Sequence, residues 1–487
     1  MTKRAPAPPH VAIVGGGLAG MSAAETLSRV HPELRLTLLE SKRLPGGRAG
    51  SYVDPQTGGE VDYCQHAAMG CCTNLIDLLQ ACGLEQHLRR DRSLTFLHPD
   101  HPPSRFAPSR WLPPPLHLLR TLHAQRYLSA RQKREIRSGL WKLMRTPVDT
   151  LRNCRAHQWL SDARQSEDTV RDFWDVILVS ALGEHTRRVS MAAARKVLID
   201  GFAASRGASD VLVPIVPLAD LFGRQLASEL TRRGVEIQSG QTVRQITSEA
   251  RVITSTQTLD ADAVICAVPW HRIAELFDQW PDGRRDALPD LPAISAIPSS
   301  PITGLHLWFD SPITPMDHAV MVGTVAQWLF RAPFGSQEKH HYYQVVISGS
   351  HPAITGTKQT LIDTVLAELR HAFPAARDAT LLRHRRVTDP NSVFSLRPEV
   401  DAIRPAATTN VPWLSLAGDW TQTDWPATME GAVISGRLAA AAAVNHLQRD
   451  TDSSSLAPDR FLTPGLAPGR LAGLLIRSDQ RDGDAWT

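Results

Sequence analysis

No uninterrupted apolar run in the 487 residues approaches the roughly 18 needed to cross a bilayer, so no spanning anchor organises this chain. Cysteine is scarce. Its six residues, with Cys71 and Cys72 adjacent and none in a C-x-x-C pair, make neither a metal-ligand pattern nor a disulfide framework. Reduced, cytosolic thiols are expected. The net charge is only +4, too small at this length to argue for nucleic acid as a partner. There is no internal repeat, and Met1 to His10 is polar and proline-rich rather than a signal peptide. What remains is an ordinary soluble composition, 42% hydrophobic and 21% charged, long enough for two or three domains. The protein is expected to stay on the cytoplasmic side.

What the sequence does contain is a strand, a glycine turn, a helix and a second strand between Val11 and Glu40. Val11-Ala12-Ile13-Val14 is the kind of apolar run buried in a parallel sheet, and Gly15, Gly17 and Gly20 follow on the G-x-G-x-x-G spacing. The first glycine permits a tight turn, the second lets a pyrophosphate approach the backbone, and the third lets the helix pack on the strand. The helix N-terminus facing this loop offers unpaired N–H groups to phosphate. Glu40 ends the second strand about 20 residues past the last glycine, where a carboxylate bonds the hydroxyls of an adenosine ribose. Leu44-Pro45-Gly46-Gly47-Arg48 then resembles the second FAD signature of the amine oxidase and carotenoid desaturase superfamily, which favours bound FAD over a diffusible nicotinamide. Cofactor contacts are therefore expected at Gly15, Gly17, Leu18, Ala19, Gly20, Glu40, Ser41, Gly46, Gly47 and Arg48.

Further along, Tyr63 to Cys72 is a run of small residues with an amide and His66, a composition that suits backbone lying against a ligand. A packed turn with a hydrogen-bonded histidine is the alternative. Thr73-Asn74 opens a helix that Asn74 can cap and Gly83 stops. Between Ser104 and Arg155 arginine and lysine interleave with Trp, Leu and Tyr, and Glu135 and Asp149 are almost the only acids. Helices of that kind suit an anionic bilayer surface, or else present a solvated face over an ordinary core. Val235-Glu236-Ile237 with Val243 to Ile246 reads as a strand pair, and Asp262 to Pro269 as a buried strand. Strands are expected again at Ile302 to Phe309, Gln327 to Phe330 and Tyr342 to Ser348, followed by a helix from Leu361 to Phe373.

The expected fold is α/β: a Rossmann-type FAD-binding domain of 8–95, 205–275 and 405–447, and a discontinuous α+β substrate domain of 96–204 and 276–404. The latter carries a helical, membrane-facing insertion. Residues 448–487, rich in Ser, Pro, Gly and Asp, are expected to form a poorly ordered tail, within which Leu471 to Ile476 could dock.

Leu414 to Trp420, a strand ending in Gly418-Asp419, and Pro426 to Ala432, opening the last helix, look like the C-terminal flavin motif of the same superfamily. That resemblance implies that Asp419 meets the pyrophosphate or ribityl chain, that Met429 and Ala432 approach the isoalloxazine, and that Val243 meets the adenine. Within the superfamily, Leu44 to Arg48, Asp62 to Gly70 and Gly418 to Gly436 most resemble the squalene-associated FAD-dependent desaturases, the hydroxysqualene dehydroxylases of hopanoid biosynthesis. Cys64 departs from the glycine usual in that family's D-x-G-x-H-like element.

The resemblance implies removal of an allylic hydroxyl from a C30 isoprenoid, with hydride from reduced flavin and an acid near the oxygen, for which His66 is the candidate. It also implies a lipophilic C30 substrate, supply by squalene or presqualene synthase-like enzymes, and peripheral attachment to an anionic membrane surface on the inner face of the cell membrane. A carotenoid (phytoene-type) desaturase, a flavin amine oxidase, and a non-enzymatic isoprenoid-binding escort protein are the competing readings; an amine oxidase would want an aromatic cage, but Trp420 and Trp425 are read as core or channel packing instead.

Overall fold

Strand β1 (His10–Val14) is buried at every position, which requires cover on both faces of its sheet. It stands in the middle of a five-stranded parallel sheet with β2 (Arg35–Glu40), β3 (Val235–Ser239), β4 (Ala263–Cys266) and β5 (Leu414–Leu416), in the order β3-β2-β1-β4-β5. This is the doubly wound order of a dinucleotide-binding sheet, and the α/β class is as expected. In this computed structural model residues 7–55, 58–332, 340–351, 356–448 and 457–477 are described.

Five helices frame the site: α1 (Leu18–Val30), α2 (Thr73–Ala81), α3 (Ala130–Met144), α4 (Met429–Gln448) and α5 (Arg470–Leu475). Of these, α1 and α4 cross at very close range. A Cβ added at Gly436 would lie 2.1 Å from the Ala19 carbonyl oxygen, and Ser22 Oγ donates to the Val433 carbonyl at 2.9 Å. Both helices therefore start beside the same sheet edge and aim their N-termini at the ends of β1 and β5.

A second sheet of seven strands runs Leu381–Phe394, Ser299–Phe309, His341–Ser348, Trp328–Arg331, His318–Met321, Leu94–His98, His101–Phe106. Helix Lys358–Ala372 covers one face with Leu361, Ile362, Val365 and Leu369. The other face turns Val320, Trp328, Phe330 and Val346 toward the helical insertion. Strand Leu94–His98 belongs wholly to this sheet, so the substrate domain begins before the expected boundary after residue 95.

Three local expectations are corrected. Val235–Ser239 and Val243–Ile246 do not pair with each other: the first joins the parallel sheet, and the second pairs with Arg251–Thr254 in a separate three-stranded sheet. Asn74 does not cap α2, which starts one residue earlier; the Glu430 carboxylate accepts from the N–H groups of Asn74 (2.9 Å) and Leu75 (2.8 Å) instead. A carboxylate from another helix satisfies those orphan donors and the positive helix end together, and a local sequence pattern cannot reveal it. The tail is ordered over 457–477 where poor order was expected, with Phe461 and Ala472 buried, while the docking of α5 is as expected for Leu471 to Ile476. The rest of the expected tail, 449–456 and 478–487, lies outside the described residues.

Candidate active site

The turn after β1 is shaped by contacts that exclude side chains. Gly15 has φ +111°, and a Cβ there would lie 2.6 Å from the Ala267 carbonyl oxygen at the end of β4. A Cβ at Gly20 would fall 1.9 Å from the Gly15 carbonyl oxygen, so Gly20 serves the packing of α1 on the turn. Gly17 differs, because an added Cβ meets only Gly47 Cα at 3.9 Å. Its missing side chain leaves open space at the uncapped N-terminus of α1, which is what a pyrophosphate requires. Gly46 and Gly47 lie across this turn: the Gly46 N–H donates to the Gly16 carbonyl at 2.8 Å, and Gly17 and Gly46 form a parallel bridge.

Around the cradle the polar groups are already oriented. Glu40 accepts from the N–H groups of Gly16 (2.8 Å) and Lys42 (2.7 Å) and from Ser41 Oγ (3.1 Å), which fixes its carboxylate and leaves lone pairs for ribose hydroxyls. Arg48 donates to Asp419 Oδ1 at 2.5 Å and to the Ser392 carbonyl at 2.7 Å, joining the second glycine motif to the turn after β5. The Gly418 N–H donates to Ser435 Oγ at 2.8 Å, tying the same turn to α4. The buried Arg404 stitches the turn from outside by donating to the carbonyls of Asp419, Thr421 and Trp425. These residues fit an FAD: Glu40 and Val243 would hold the adenosine, Gly17, the α1 N-terminus and Arg48 the pyrophosphate, Asp419 the pyrophosphate or ribityl chain, and Met429 and Ala432 the isoalloxazine end.

Every residue expected to contact the cofactor, except Gly20, lines one cavity of about 1400 Å³, and His66 lines it too. That volume exceeds the ~300–1,000 Å³ of ordinary ligand pockets. Beyond the cradle the cavity continues between the second sheet and the insertion, walled by Phe96, Phe106, Leu122, Phe173, Ile177 and Phe202, to a mouth at Leu116, Leu119 and Trp141. Two atoms in its wall lack a hydrogen-bond partner among the described residues, Gln125 Oε1 and His271 Nδ1. Gln125 Nε2 is engaged by the carbonyls of Thr121 (2.9 Å) and Arg105 (3.4 Å), which leaves its Oε1 as a free acceptor in an apolar wall.

His66 Nδ1 sits 3.0 Å from the Cys64 carbonyl, so Nδ1 carries the proton and Nε2 is left as an acceptor. Burial lowers its pKa below the ordinary 6.5, the Cys64 contact opposes this, and the Arg48 charge reinforces it. The imidazole is thus neutral near neutrality, which disfavours a standing acid. Two cavity residues escaped the sequence reading. Lys196 lies 5.1 Å from the Trp425 ring centre, next to the start of α4, with Nζ 2.8 Å from Asp200. It opens the π-helical stretch Lys196–Ala203, and a Cβ at Gly201 of that stretch would approach Met69 Cε (3.9 Å) and Cys71 Sγ (4.0 Å). Lys196 therefore belongs to an element packed on the segment that follows His66, and a lysine and an aspartate four apart in an otherwise apolar helix were its sequence signal. The other is His271, just past β4, whose pKa burial also lowers. Trp420 is wholly buried with Nε1 donating to the Val268 carbonyl, the core role rather than a cage.

Asp62, four residues before His66, accepts from Ser51 Oγ (2.5 Å) and the Leu218 N–H (3.1 Å), while its buried Oδ2 has no partner among the described residues. Burial, the largest cause, raises its pKa from 3.8 to about 6. A raised carboxylate pKa means that the folded state holds the proton more tightly. Stability from this group is therefore full below 3.8, falls as pH rises, and is lost above about 6. Thermal melts between those limits should show a slope in the wild type, amounting to on the order of 3 kcal/mol, that Asp62→Asn removes. Parallel melting curves for the two proteins would rule out the burial argument.

Comparison with known proteins agrees with this geometry. The family model "Flavin containing amine oxidoreductase" matches residues 18–444. A zeta-carotene desaturase of Synechocystis sp. is 24% identical over 479 residues, covering 89% of this chain and 96% of that protein. A 15-cis-phytoene desaturase of an Oncidium hybrid cultivar is 25% identical over 470 residues, 90% of this chain and 78% of that protein. Among solved structures, cyclohexylamine oxidase from Brevibacterium oxydans superposes with a TM-score of 0.64 at 19% identity, over 91% of this chain and 100% of that one, a likeness of fold. With the glycine cradle, the oriented Glu40 and the paired Arg48 and Asp419 in one cavity, the chain belongs to the flavin containing amine oxidoreductase family and is an FAD-dependent oxidoreductase.

Proposed function

We propose that the protein acts on a long polyisoprenoid and, within that class, removes the allylic hydroxyl of hydroxysqualene to give squalene. The observation that carries the first part is the unbroken cavity from cradle to surface, whose wall beyond the cofactor is made of apolar and aromatic side chains. A substrate with several charges would leave its polar groups unpaired there. The second part rests on the resemblance of Asp62 to Gly70 and on two polar features that suit an alcohol. Lys196 places an N–H donor beside the start of α4, and Gln125 Oε1 can accept from a hydroxyl in the channel.

Bound FAD supplies the two-electron hydride chemistry. The chain's own residues hold the polyene in a dry channel, orient the hydroxyl and supply the proton with which it leaves as water. Anaerobic single turnover is the test: enzyme reduced beforehand should convert hydroxysqualene to squalene, one equivalent per flavin. Oxidised enzyme that desaturated phytoene and left the alcohol untouched would overturn the dehydroxylation reading.

That outcome is also the second reading, carotenoid-type desaturation. It is favoured by the names of the relatives and by His66, whose neutral ring with a bare Nε2 suits accepting a proton.

A further inference from the structure

We propose that α5 completes an apolar collar around the mouth of the cavity and that this collar seats in one leaflet of an anionic bilayer. The inference rests on the reading that the cavity takes a lipophilic isoprenoid, and it adds to that reading how the substrate enters.

The two most exposed large hydrophobic side chains among the described residues are Leu474 on α5 (79%) and Trp111 (77%), 363 residues apart in sequence and on two segments that meet where Gly469 rests on Pro114. Gly469, which precedes α5, rests on Pro114, since an added Cβ would lie 3.0 Å from that ring; its N–H donates to the Ala204 carbonyl at 2.9 Å. At the other end the Arg477 N–H donates to the Met144 carbonyl at 2.9 Å, and Arg195 donates to the Arg477 carbonyl at 2.8 Å. Hence α5 bridges the loop around Trp111 and the C-terminal end of α3. Upstream, the Thr463 N–H and Oγ1 are held by Asn74 and Arg437, so the segment is anchored beside the start of α2. Ala472 is buried, Leu475 lines the cavity and Leu474 faces solvent. Leu116, Leu119 and Trp141 likewise line the cavity and reach the surface. The apolar ring is thus the end of the substrate channel.

Its charge selects the occupant. Arg110 lies over the Trp111 ring and Arg145 over the Trp141 ring, 4.8 and 5.9 Å from the centres, which sets a cation above each aromatic anchor. Arg120, next to Leu119, and Arg470 and Arg477, at the two ends of α5, are exposed. The one acid between Arg105 and Val148, Glu135, is turned to Ser166 and Thr169. Apolar tips with cations at headgroup depth match an anionic lipid surface. A second copy of this chain in a two-fold contact would bring these cations against one another, which disfavours it as the occupant.

Full-length Leu474→Glu and Trp111→Glu, both at exposed positions, should keep the wild-type flavin spectrum and melting temperature. Their binding to vesicles of phosphatidylglycerol and phosphatidylcholine should fall by on the order of tenfold or more in flotation, and turnover of vesicle-borne isoprenoid should fall with it. Turnover of detergent-dispersed isoprenoid should not change. Equal flotation of the variants and the wild type, equal recovery on phosphatidylcholine alone, or a wild-type dimer that Leu474→Glu splits into monomers in light scattering would each overturn the proposal. If the variants lose vesicle binding but no isoprenoid is turned over in any form, the collar stands and the substrate reading fails.

Discussion

Gly17→Val should yield a folded, colourless protein, whereas Gly20→Val should not accumulate in folded form. The two glycines stand three apart in one motif and differ in what a side chain would strike. At Gly17 the nearest atom to an added Cβ is 3.9 Å away, so the chain itself tolerates the substitution. Valine methyls would then occupy the space above the α1 N-terminus that the pyrophosphate needs. Overpacking there of roughly 1–3 kcal/mol corresponds to an affinity loss of about 5- to 150-fold. Gly20 offers no such room, because its Cβ would sit 1.9 Å from the backbone oxygen of Gly15. Either α1 leaves the sheet or the turn opens, and both remove the helix that packs on α4. The measurement is FAD released per chain on denaturation, alongside circular dichroism. A yellow Gly17→Val with one FAD per chain would show that the open space is not the pyrophosphate site.

The parallel sheet was legible because its signals are local. β1, the glycine turn, α1 and β2 are contiguous, and each step has a physical requirement that one stretch of sequence can display. The C-terminal motif was legible for the same reason, since Gly418-Asp419 and Met429 to Ala432 each mark a chain end facing the cofactor. Contacts set by distant partners left no such trace. The Glu430 carboxylate that caps α2 lies 356 residues from Asn74, and the Arg404 donors reach three carbonyls of a turn that reads as unremarkable sequence. Strand Leu381–Phe394 carries Arg383, Arg385, Arg386 and Asp389 without alternation, so a period-two reading passes over it. Its long register along Ser299–Phe309 holds it in place. The tail misled for a compositional reason. Proline and glycine at 464–469 deny it regular structure, yet they let it lie flat against Pro114 and Ala204, and order came from docking rather than propensity.

His66→Ala should lower turnover by roughly 10²-fold or more while FAD stays bound, and the pH profile should tell which way the proton moves. With its pKa below 6.5 by burial, His66 is neutral at pH 7. If the ring donates a proton to a departing hydroxyl, only the minor protonated fraction is active. The rate must then rise as pH falls toward the lowered pKa. If the ring instead accepts a proton, as desaturation would ask, the rate is flat near neutrality and drops only below that pKa. Lys196→Met separates a third case. Should the dehydroxylation proton come from the Lys196 and Asp200 pair beside Trp425, the lysine variant would lose turnover by a similar factor and the His66 variant would keep most of it. A wild-type rate in both variants, with FAD retained, would leave both side chains as packing around the flavin. The proton would then have to come from elsewhere in the cavity wall, with His271, whose Nδ1 has no partner among the described residues, the next residue to change.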